Sequence, residues 1–183
     1  MSHKYKVRNN DKPYFVTFAT VYWVDVFTRN AYRDEFLDSL RFCQQRKGLE
    51  VYAWCLMSSH AHLLVGSQQK PLTEIIRDFK SFTSRKIREM INDHPQESRK
   101  EWMLWLIQRA GMHNASSQEW QLWQPGYHPV ELENWPMCKQ KLDYIHYNPV
   151  EAGFVDEPAE WLYSSARDYS GGKGLLDVQV LEG

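Results

Sequence analysis

The segment Trp54-Cys55-Leu56-Met57-Ser58-Ser59-His60-Ala61-His62-Leu63-Leu64-Val65 consists of two short apolar runs separated by two serines. This pattern predicts strands over residues 50–57 and 60–66, joined by a tight turn. Side chains two residues apart on a strand point to the same face of the sheet. We therefore expect His60 and His62 to share a face, where two imidazoles make half of a divalent-metal site. The alternative is that both are ordinary polar residues of a half-exposed strand.

The flanking sequence predicts the other elements of a small α+β domain. Residues 14–23 are aromatic and β-branched and predict a strand, while residues 31–47 have helical spacing and stop at Gly48. Residues 71–92 predict a second helix, and residues 120–132 are the best candidate for a closing strand. The order matches a βαββαβ ferredoxin-like or RRM-like unit, in which an antiparallel sheet carries helices on one face.

Two further helices are predicted in the second half of the chain. The segment over residues 95–114 is expected to be an insertion, helical around residues 102–107. Residues 136–148 predict a C-terminal helix, with Asn134 as its cap and Pro149 as its stop.

Length and composition are those of a single globular domain. The chain has 183 residues, of which 43% are hydrophobic and 25% charged. The net charge of −1 provides no overall attraction to nucleic acid, so any such site has to be a local patch. We expect one domain over residues 1–169 and a short glycine-containing tail over residues 170–183.

Membrane insertion and a disulfide framework are not expected. No apolar run approaches the roughly 20 residues of a membrane span, and the N-terminus lacks the apolar core of a signal peptide. The cysteines Cys43, Cys55 and Cys138 are far apart and show no CxxC spacing. They are expected to be reduced, packed thiols of a cytoplasmic protein.

The predicted C-terminal helix contains a second group of chemically capable residues. Tyr144 and Asn148 are four residues apart and are therefore neighbours on one helical face. The amide oxygen of Asn148 suits a hard cation such as Mg²⁺ or Mn²⁺, and a tyrosine hydroxyl can form a covalent intermediate once activated. Together with two imidazoles these groups fit phosphodiester chemistry. Composition alone does not distinguish this site from a core tyrosine and a helix-ending asparagine.

Three segments carry a resemblance to a known family. His60-Ala61-His62 looks like the HUH signature of single-strand DNA nucleases. The segments WCLMSSHAHLLV, FKSFTSRKI and YIHYNPVEAG closely resemble the REP-associated tyrosine transposases of the single-tyrosine, IS200-like superfamily. The resemblance extends from about residue 14 to residue 169 and implies a ferredoxin-like fold, a divalent metal, Mg²⁺ or Mn²⁺, and cleavage of single-stranded DNA near a hairpin.

The same resemblance implies roles for individual residues. By position, His60, His62 and Asn148 become metal ligands, with asparagine where related transposases often have glutamine. Tyr144 becomes the nucleophile that forms a covalent 5′-phosphotyrosine. Tyr147, one turn away, is the other candidate, but Tyr144 leads the motif and precedes Asn148 by four residues.

Two surfaces are candidates for DNA binding. The helix over residues 72–90 has an apolar side, to which its pattern assigns Leu72, Ile75, Ile76, Phe79, Phe82 and Met90. The other side suits phosphate contacts and carries Arg77, Lys80, Ser81, Ser84 and Arg88. A second surface with side chains suited to stacking on or contacting bases consists of Trp123, Tyr127 and His128. The alternatives are an ordinary solvated helix face and core aromatics of the closing strand.

The function that these observations predict is a metal-dependent single-stranded DNA endonuclease and strand transferase that acts at hairpin-flanked sites, with a monomer favoured over a homodimer. Three alternatives remain. One is a replication initiator or relaxase with the same motif. Another is a non-catalytic or domesticated single-stranded nucleic-acid-binding protein. The third is a metallohydrolase that uses bound water and does not need Tyr144.

Overall fold

The structure, a computed structural model, describes Val7, residues 12–113 and residues 119–183. Strands and α-helices in these residues are numbered in chain order, and short 3₁₀ turns are given by their residues. The strands are β1 (Tyr14–Ala19), β2 (Leu49–Leu56), β3 (His60–Ser67) and β4 (Val130–Glu131). The helices are α1 (Asn30–Lys47), α2 (Leu72–Asp93), α3 (Lys100–Met112), α4 (Trp135–Glu151) and α5 (Ala166–Tyr169).

The strands form one antiparallel sheet in the order β2-β3-β1-β4. This is the strand order of a βαββαβ ferredoxin-like unit, so the predicted fold class is confirmed. The pairing of β1 with β3 sets Thr17 opposite His62 and Ala19 opposite His60. Directly paired residues of an antiparallel sheet project to the same face. The register therefore brings β1 side chains beside the two histidines.

Helices cover both faces of the sheet. Ala61 and Leu63 belong to the large core that the sheet forms with α1 and α2. Leu64 belongs to a smaller core on the other face, where it packs with Ile145 and other residues of α4. Because side chains alternate along β3, His60 and His62 lie on the face covered by α4. The prediction that they share a face is confirmed.

The first strand is shorter than predicted. β1 ends at Ala19, and the next residues form a 3₁₀ turn, Val21–Trp23, instead of continuing the strand to residue 23. Tyr22 and Trp23 have φ angles of 55° and 56°, which are incompatible with an extended strand. The aromatic and β-branched composition predicted a strand here, and tertiary hydrogen bonds override that preference.

The predicted closing strand over residues 120–132 is wrong in extent, because pairing in β4 covers only Val130–Glu131. Pro125 and Pro129 lack the N–H that a central strand needs, and Gly126 has a φ of 78°. Trp123 is 2% exposed and lies in the core, where its Nε1–H donates to Thr83 Oγ1 at 2.9 Å. This part of the segment is a loop that is buried at residues 121–123, and Trp123 forms an isolated bridge with Thr20, the residue after β1.

Helix α4 begins as predicted and ends later. The Asn134 side chain accepts a hydrogen bond from the Met137 N–H at 3.1 Å and caps the helix. The helix continues through Pro149 to Glu151 instead of stopping at residue 148. A proline within the last turn removes one backbone hydrogen bond of the helix, and the packing of the buried Pro149 side chain offsets this loss.

The insertion and the C-terminal residues are more structured than the sequence indicates. The helix predicted around residues 102–107 is α3, and the insertion's predicted end at residue 114 falls outside the described residues. After α4 the chain runs along the open edge of β2, where Ser164 bridges Cys55. Further on, Leu176 is buried in the large core and the Gln179 N–H donates to the Val51 carbonyl at 2.9 Å. The edge of the sheet is thereby covered.

The expectation of packed thiols is confirmed, since Cys43, Cys55 and Cys138 are all free and buried. Among the described residues, no helix combines the length and apolar character needed to cross a membrane.

Candidate active site

His62 has a buried nitrogen that faces the space beneath α4. The residue is 4% exposed, and its Nδ1 lies 2.9 Å from the hydroxyl of Thr17, its partner across the strands. Its Nε2 is buried and makes no hydrogen bond within the described part of the chain. A buried nitrogen without a partner is unusual and indicates a bound group. The Thr17 bond sets the orientation of the ring and leaves Nε2 for that group.

His60 completes the pair of imidazoles. The two rings lie edge to face, with 4.9 Å between their centroids. The Nδ1 of His60 is 3.2 Å from the hydroxyl of Ser59, and its side chain also interacts through a hydrogen bond with that of Asn148. Asn148 of α4 is therefore next to the imidazole pair, as its predicted role requires.

Both histidines are held in the neutral form. Burial, with smaller contributions from the nearby His60 and Lys141, lowers the pKa of His62 to about 3. Burial also lowers the pKa of His60, against opposing contributions from Asn148 and Asp25. Neutral imidazole is the form that binds a metal ion.

Tyr144 projects from α4 toward His62. Its ring centroid lies 5.0 Å from that of His62 and 5.9 Å from that of Phe15, and the residue is 41% exposed. Ile145, the next residue, is buried in the small core and anchors this turn of α4 on the sheet. Tyr147 is exposed and, within the described residues, makes no ring contact with either histidine. Of the two tyrosines, Tyr144 is the one next to the imidazoles.

Lys141 contributes a positive charge that sequence reasoning missed. Its ammonium lies 4.6 Å from the ring centroid of Phe15 and 5.6 Å from that of Tyr144. The three-residue spacing between Lys141 and Tyr144, one helical turn, is the signal that points to it. Thr17 was also missed, because only the register of β1 with β3 brings it to His62.

The comparisons with known proteins identify the family of the chain. The family model described as Transposase IS200 like matches residues 10–110, more than half of the chain. The chain belongs to the IS200-like transposase family. A Haemophilus influenzae protein named as a REP-associated tyrosine transposase is 25% identical over 136 residues, which cover 73% of this chain and 68% of the relative.

Two solved structures are similar to this IS200-like transposase. One is a REP-associated tyrosine transposase bound to a REP hairpin, with a TM-score of 0.63 and 16% identity, covering 100% of this chain and 95% of that one. This similarity supports the fold. The other, a transposase from Deinococcus radiodurans, has a TM-score of 0.45 and 20% identity, covering 79% of this chain and 94% of that one.

Transposases of this family generally use a divalent metal, and the residues of the cluster fit one. The donors are two neutral imidazoles and an amide oxygen, a mixed nitrogen and oxygen set that can hold a divalent ion. The unpartnered Nε2 of His62 is the structural observation that favours such an ion. In the part of the chain that the structure describes, no group of three or more His, Cys, Asp or Glu side chains is placed to hold a metal ion.

The predicted DNA-binding residues of α2 lie on the opposite face of the sheet from the histidines, because this helix packs on the large core. Arg77 and Ser81 are exposed, although Arg77 also pairs with Asp78 at 3.0 Å. Ser84 is half-buried, and the Arg88 guanidinium lies 4.7 Å from the ring centroid of Trp120. The sequence placed these side chains on one helical face but could not show which face of the sheet that helix covers.

Two residues of α2 differ from their predicted positions. The ammonium of Lys80 donates to the carbonyls of Gln124 at 2.8 Å and Gly126 at 2.5 Å, so it fastens a loop instead of extending toward solvent. Burial lowers the pKa of Lys80 to about 8. Phe82, predicted to face the sheet, is exposed, and the smaller Thr83 occupies the buried position.

The second predicted surface is divided between the core and the exterior. Trp123 is a core residue, which was the alternative interpretation, and a base cannot stack on it without opening the core. Tyr127 is half-buried, its backbone carbonyl accepts from the Thr17 N–H at 3.2 Å, and His128 is exposed. The loop and α2 border one cavity of about 520 Å³, lined in part by Arg77, Lys80, Ser81, Ser84 and Tyr127.

Proposed function

We propose that this IS200-like transposase is an active single-stranded DNA endonuclease and strand transferase. It cuts beside a hairpin and holds the 5′ end of the DNA on Tyr144 as a phosphotyrosine. The observation that carries the proposal is the convergence of one exposed tyrosine, two neutral imidazoles and an amide in a single cluster. The ring of Tyr144 lies 5.0 Å from that of His62, which has a buried nitrogen without a partner.

Three side chains of the cluster are proposed metal ligands. His60, His62 and Asn148 would hold a divalent ion, Mg²⁺ or Mn²⁺, which when bound would polarise the scissile phosphate. In the neutral ring, an Nδ1–H of His62 that donates to the Thr17 hydroxyl at 2.9 Å would leave the Nε2 lone pair free, which supports the use of Nε2 as the coordinating atom.

Tyr144 is the proposed nucleophile. Its oxygen would form a bond to phosphorus as the bond to the 3′ oxygen breaks, and the leaving 3′ oxygen would take up a proton from solvent to become a free 3′-OH. The exposure of Tyr144 gives its hydroxyl proton a path to solvent. Because one phosphoester replaces another, a 3′-OH can reverse the reaction on the same or another strand, and this exchange is strand transfer.

Lys141 is proposed to stabilise negative charge during this exchange. Its ammonium lies 5.6 Å from the ring centroid of Tyr144, and Lys141 forms no salt bridge within the described residues. A cation near the Tyr144 ring would favour the phenolate and the additional charge on phosphorus in the transition state.

We propose that the DNA partner is a REP-like hairpin with an adjoining single strand. The solved REP-associated transposase was bound to a REP hairpin, which supports this assignment by similarity of fold. The cavity between α2 and the loop lies on the other face of the sheet from Tyr144. Its residues, with Arg88 and His128, are proposed to contact the hairpin, while the single strand reaches the catalytic face.

The transposase is proposed to act as a monomer in the cytoplasm. Tyr144, His60, His62 and Asn148 come together within one chain, so no second copy is needed to complete the cluster. Light scattering of the DNA complex tests this stoichiometry. A complex with two chains per hairpin contradicts it.

The catalytic proposal is tested by covalent trapping. Labelled single-stranded hairpin DNAs are incubated with the transposase and Mn²⁺ or Mg²⁺ and resolved on a denaturing gel. A slow adduct is expected that disappears with EDTA and in Tyr144→Phe. Tyr147→Phe, a second exposed tyrosine on the same helix, is the matched control and should keep the adduct.

The other outcomes distinguish the alternatives. Cleavage without an adduct, unaffected by Tyr144→Phe, would assign the chemistry to a metal-activated water. Tight binding of the hairpin without cleavage or adduct would identify a nucleic-acid-binding protein.

A further inference from the structure

Two consecutive aromatic residues beside the candidate active site have an unusual backbone. Tyr22 and Trp23 have φ angles of 55° and 56°, in the left-handed region that L-residues with large side chains rarely adopt. Both side chains are exposed, at 53% and 57%. Their own burial therefore contributes little that would offset the conformational cost.

Specific hydrogen bonds hold this turn against the strand that carries the histidines. The hydroxyl of Thr20 lies 2.8 Å from the Val24 carbonyl and 3.0 Å from the Ser59 carbonyl. The Ser59 carbonyl also accepts from the Thr20 N–H at 2.9 Å, and the Ser58 carbonyl accepts from the Phe27 N–H at 2.8 Å. Hydrogen bonds before and after the turn therefore attach it to Ser58 and Ser59, which precede His60.

These bonds leave both aromatic side chains exposed, with the Trp23 ring against His60 and Tyr22 beside it in the chain. The ring of Trp23 meets that of His60 edge to face, with 5.5 Å between centroids, and the rest of the indole is open to solvent. Tyr22 borders a separate cavity of about 300 Å³, which Gln124 and His113 also line. Exposed, strained residues held in one orientation indicate function, because the surrounding bonds maintain a conformation that the residues themselves disfavour.

We propose that Trp23 and Tyr22 form a platform on which unpaired bases next to the scissile phosphate stack. Trp23 holds one base beside His60, and Tyr22 holds the neighbouring base at its cavity. Aromatic stacking tolerates any base, so the platform orients single-stranded DNA without reading its sequence. This inference rests on the proposed function, because it assigns the substrate contact of the same site.

The platform is tested by DNA binding without cleavage. Tyr144→Phe protein in EDTA is titrated into a fluorescent oligothymidylate of about 20 nucleotides, and anisotropy gives the Kd. In this background Trp23→Ala should raise the Kd at least about five-fold, the effect of losing one stacked base. Trp23→Phe should retain most of the affinity. Trp105→Ala, which removes a similarly exposed indole (54%) from α3, is the matched control and should leave the Kd unchanged.

Trp23→Gly separates a binding role from a structural one. Glycine adopts positive φ without strain, so the Tm of this variant should equal or exceed that of the parent. Its Kd for the oligonucleotide should rise as in Trp23→Ala. A Kd within two-fold of the parent for Trp23→Ala or for Trp23→Gly overturns the platform.

The test is independent of the catalytic proposal. It uses a variant without the proposed nucleophile and requires no metal ion. Absence of a covalent adduct would refute the proposed chemistry and leave the binding result intact. If the Trp23 variants bind the oligonucleotide normally and the protein with an intact Tyr144 forms the adduct normally, the platform is refuted and the catalytic proposal is not.

Discussion

Replacing Thr17 with valine removes one hydroxyl and leaves a side chain of almost the same shape. In the native structure that hydroxyl lies 2.9 Å from Nδ1 of His62, which is 4% exposed. The variant leaves this nitrogen buried without its partner, which costs about 1–3 kcal/mol of the free energy of unfolding. Because the bond also sets the orientation of the ring, affinity for Mn²⁺ should fall about 10- to 100-fold.

Two measurements check this prediction. Urea denaturation gives the free energy of unfolding, and calorimetric titration with Mn²⁺ gives the Kd. Thr17→Ser keeps the hydroxyl and should recover most of the Mn²⁺ affinity, while Thr73→Val, at an exposed threonine of α2, should leave both quantities unchanged. A Thr17→Val protein that binds Mn²⁺ as tightly as the parent refutes the assignment of Nε2 as a ligand oriented by this bond.

Two further predictions concern charge. Lys141→Met keeps an unbranched side chain over Phe15 but removes the cation, so the rate of adduct formation should fall at least about ten-fold with little change in Tm. Lys139→Met is the control. Equal rates of adduct formation in the two variants would contradict the proposed role of Lys141. Burial lowers the pKa of His62 to about 3 and that of His146 to about 4 in the folded protein, so between pH 6.5 and pH 4 only the unfolded chain takes up these protons. The free energy of unfolding should therefore decrease as the pH falls from 6.5 to 4, by at most about 1.4 kcal/mol per pH unit for each histidine. Above pH 6.5 these two histidines should not change the free energy of unfolding. Urea midpoints measured across the range test this, and an unchanged slope in His146→Asn would show that His146 does not contribute.

Local periodicity explains why the sequence predicted so much of the fold. The alternation His60-Ala61-His62-Leu63 has the period of a strand, and the structure confirms that the histidines share a face. Helix ends were predictable where a residue type is required by backbone geometry. Gly48 ends α1 with a φ of 73°, and Asn134 caps α4 through its side chain.

Predictions failed where distant residues determine the local conformation. The run of residues 14–23 has strand propensity throughout, but bonds from Thr20 to Ser59 turn the chain after Ala19. Trp123 is compatible with a binding surface or a core by residue type alone, and its hydrogen bond to Thr83 belongs to the core.

The sequence by itself determined the element order, the shared face of the histidines and the residues that lie four apart on α4, because these depend on spacing along the chain. The tertiary structure decided that α4 covers the histidine face and α2 the opposite one, since helix packing depends on contacts between distant residues. The same contacts bring Thr17, Lys141 and Trp23 to the site. Tyr144 and His62 are far apart in the chain, and only the packing of α4 on the sheet sets the distance between their rings.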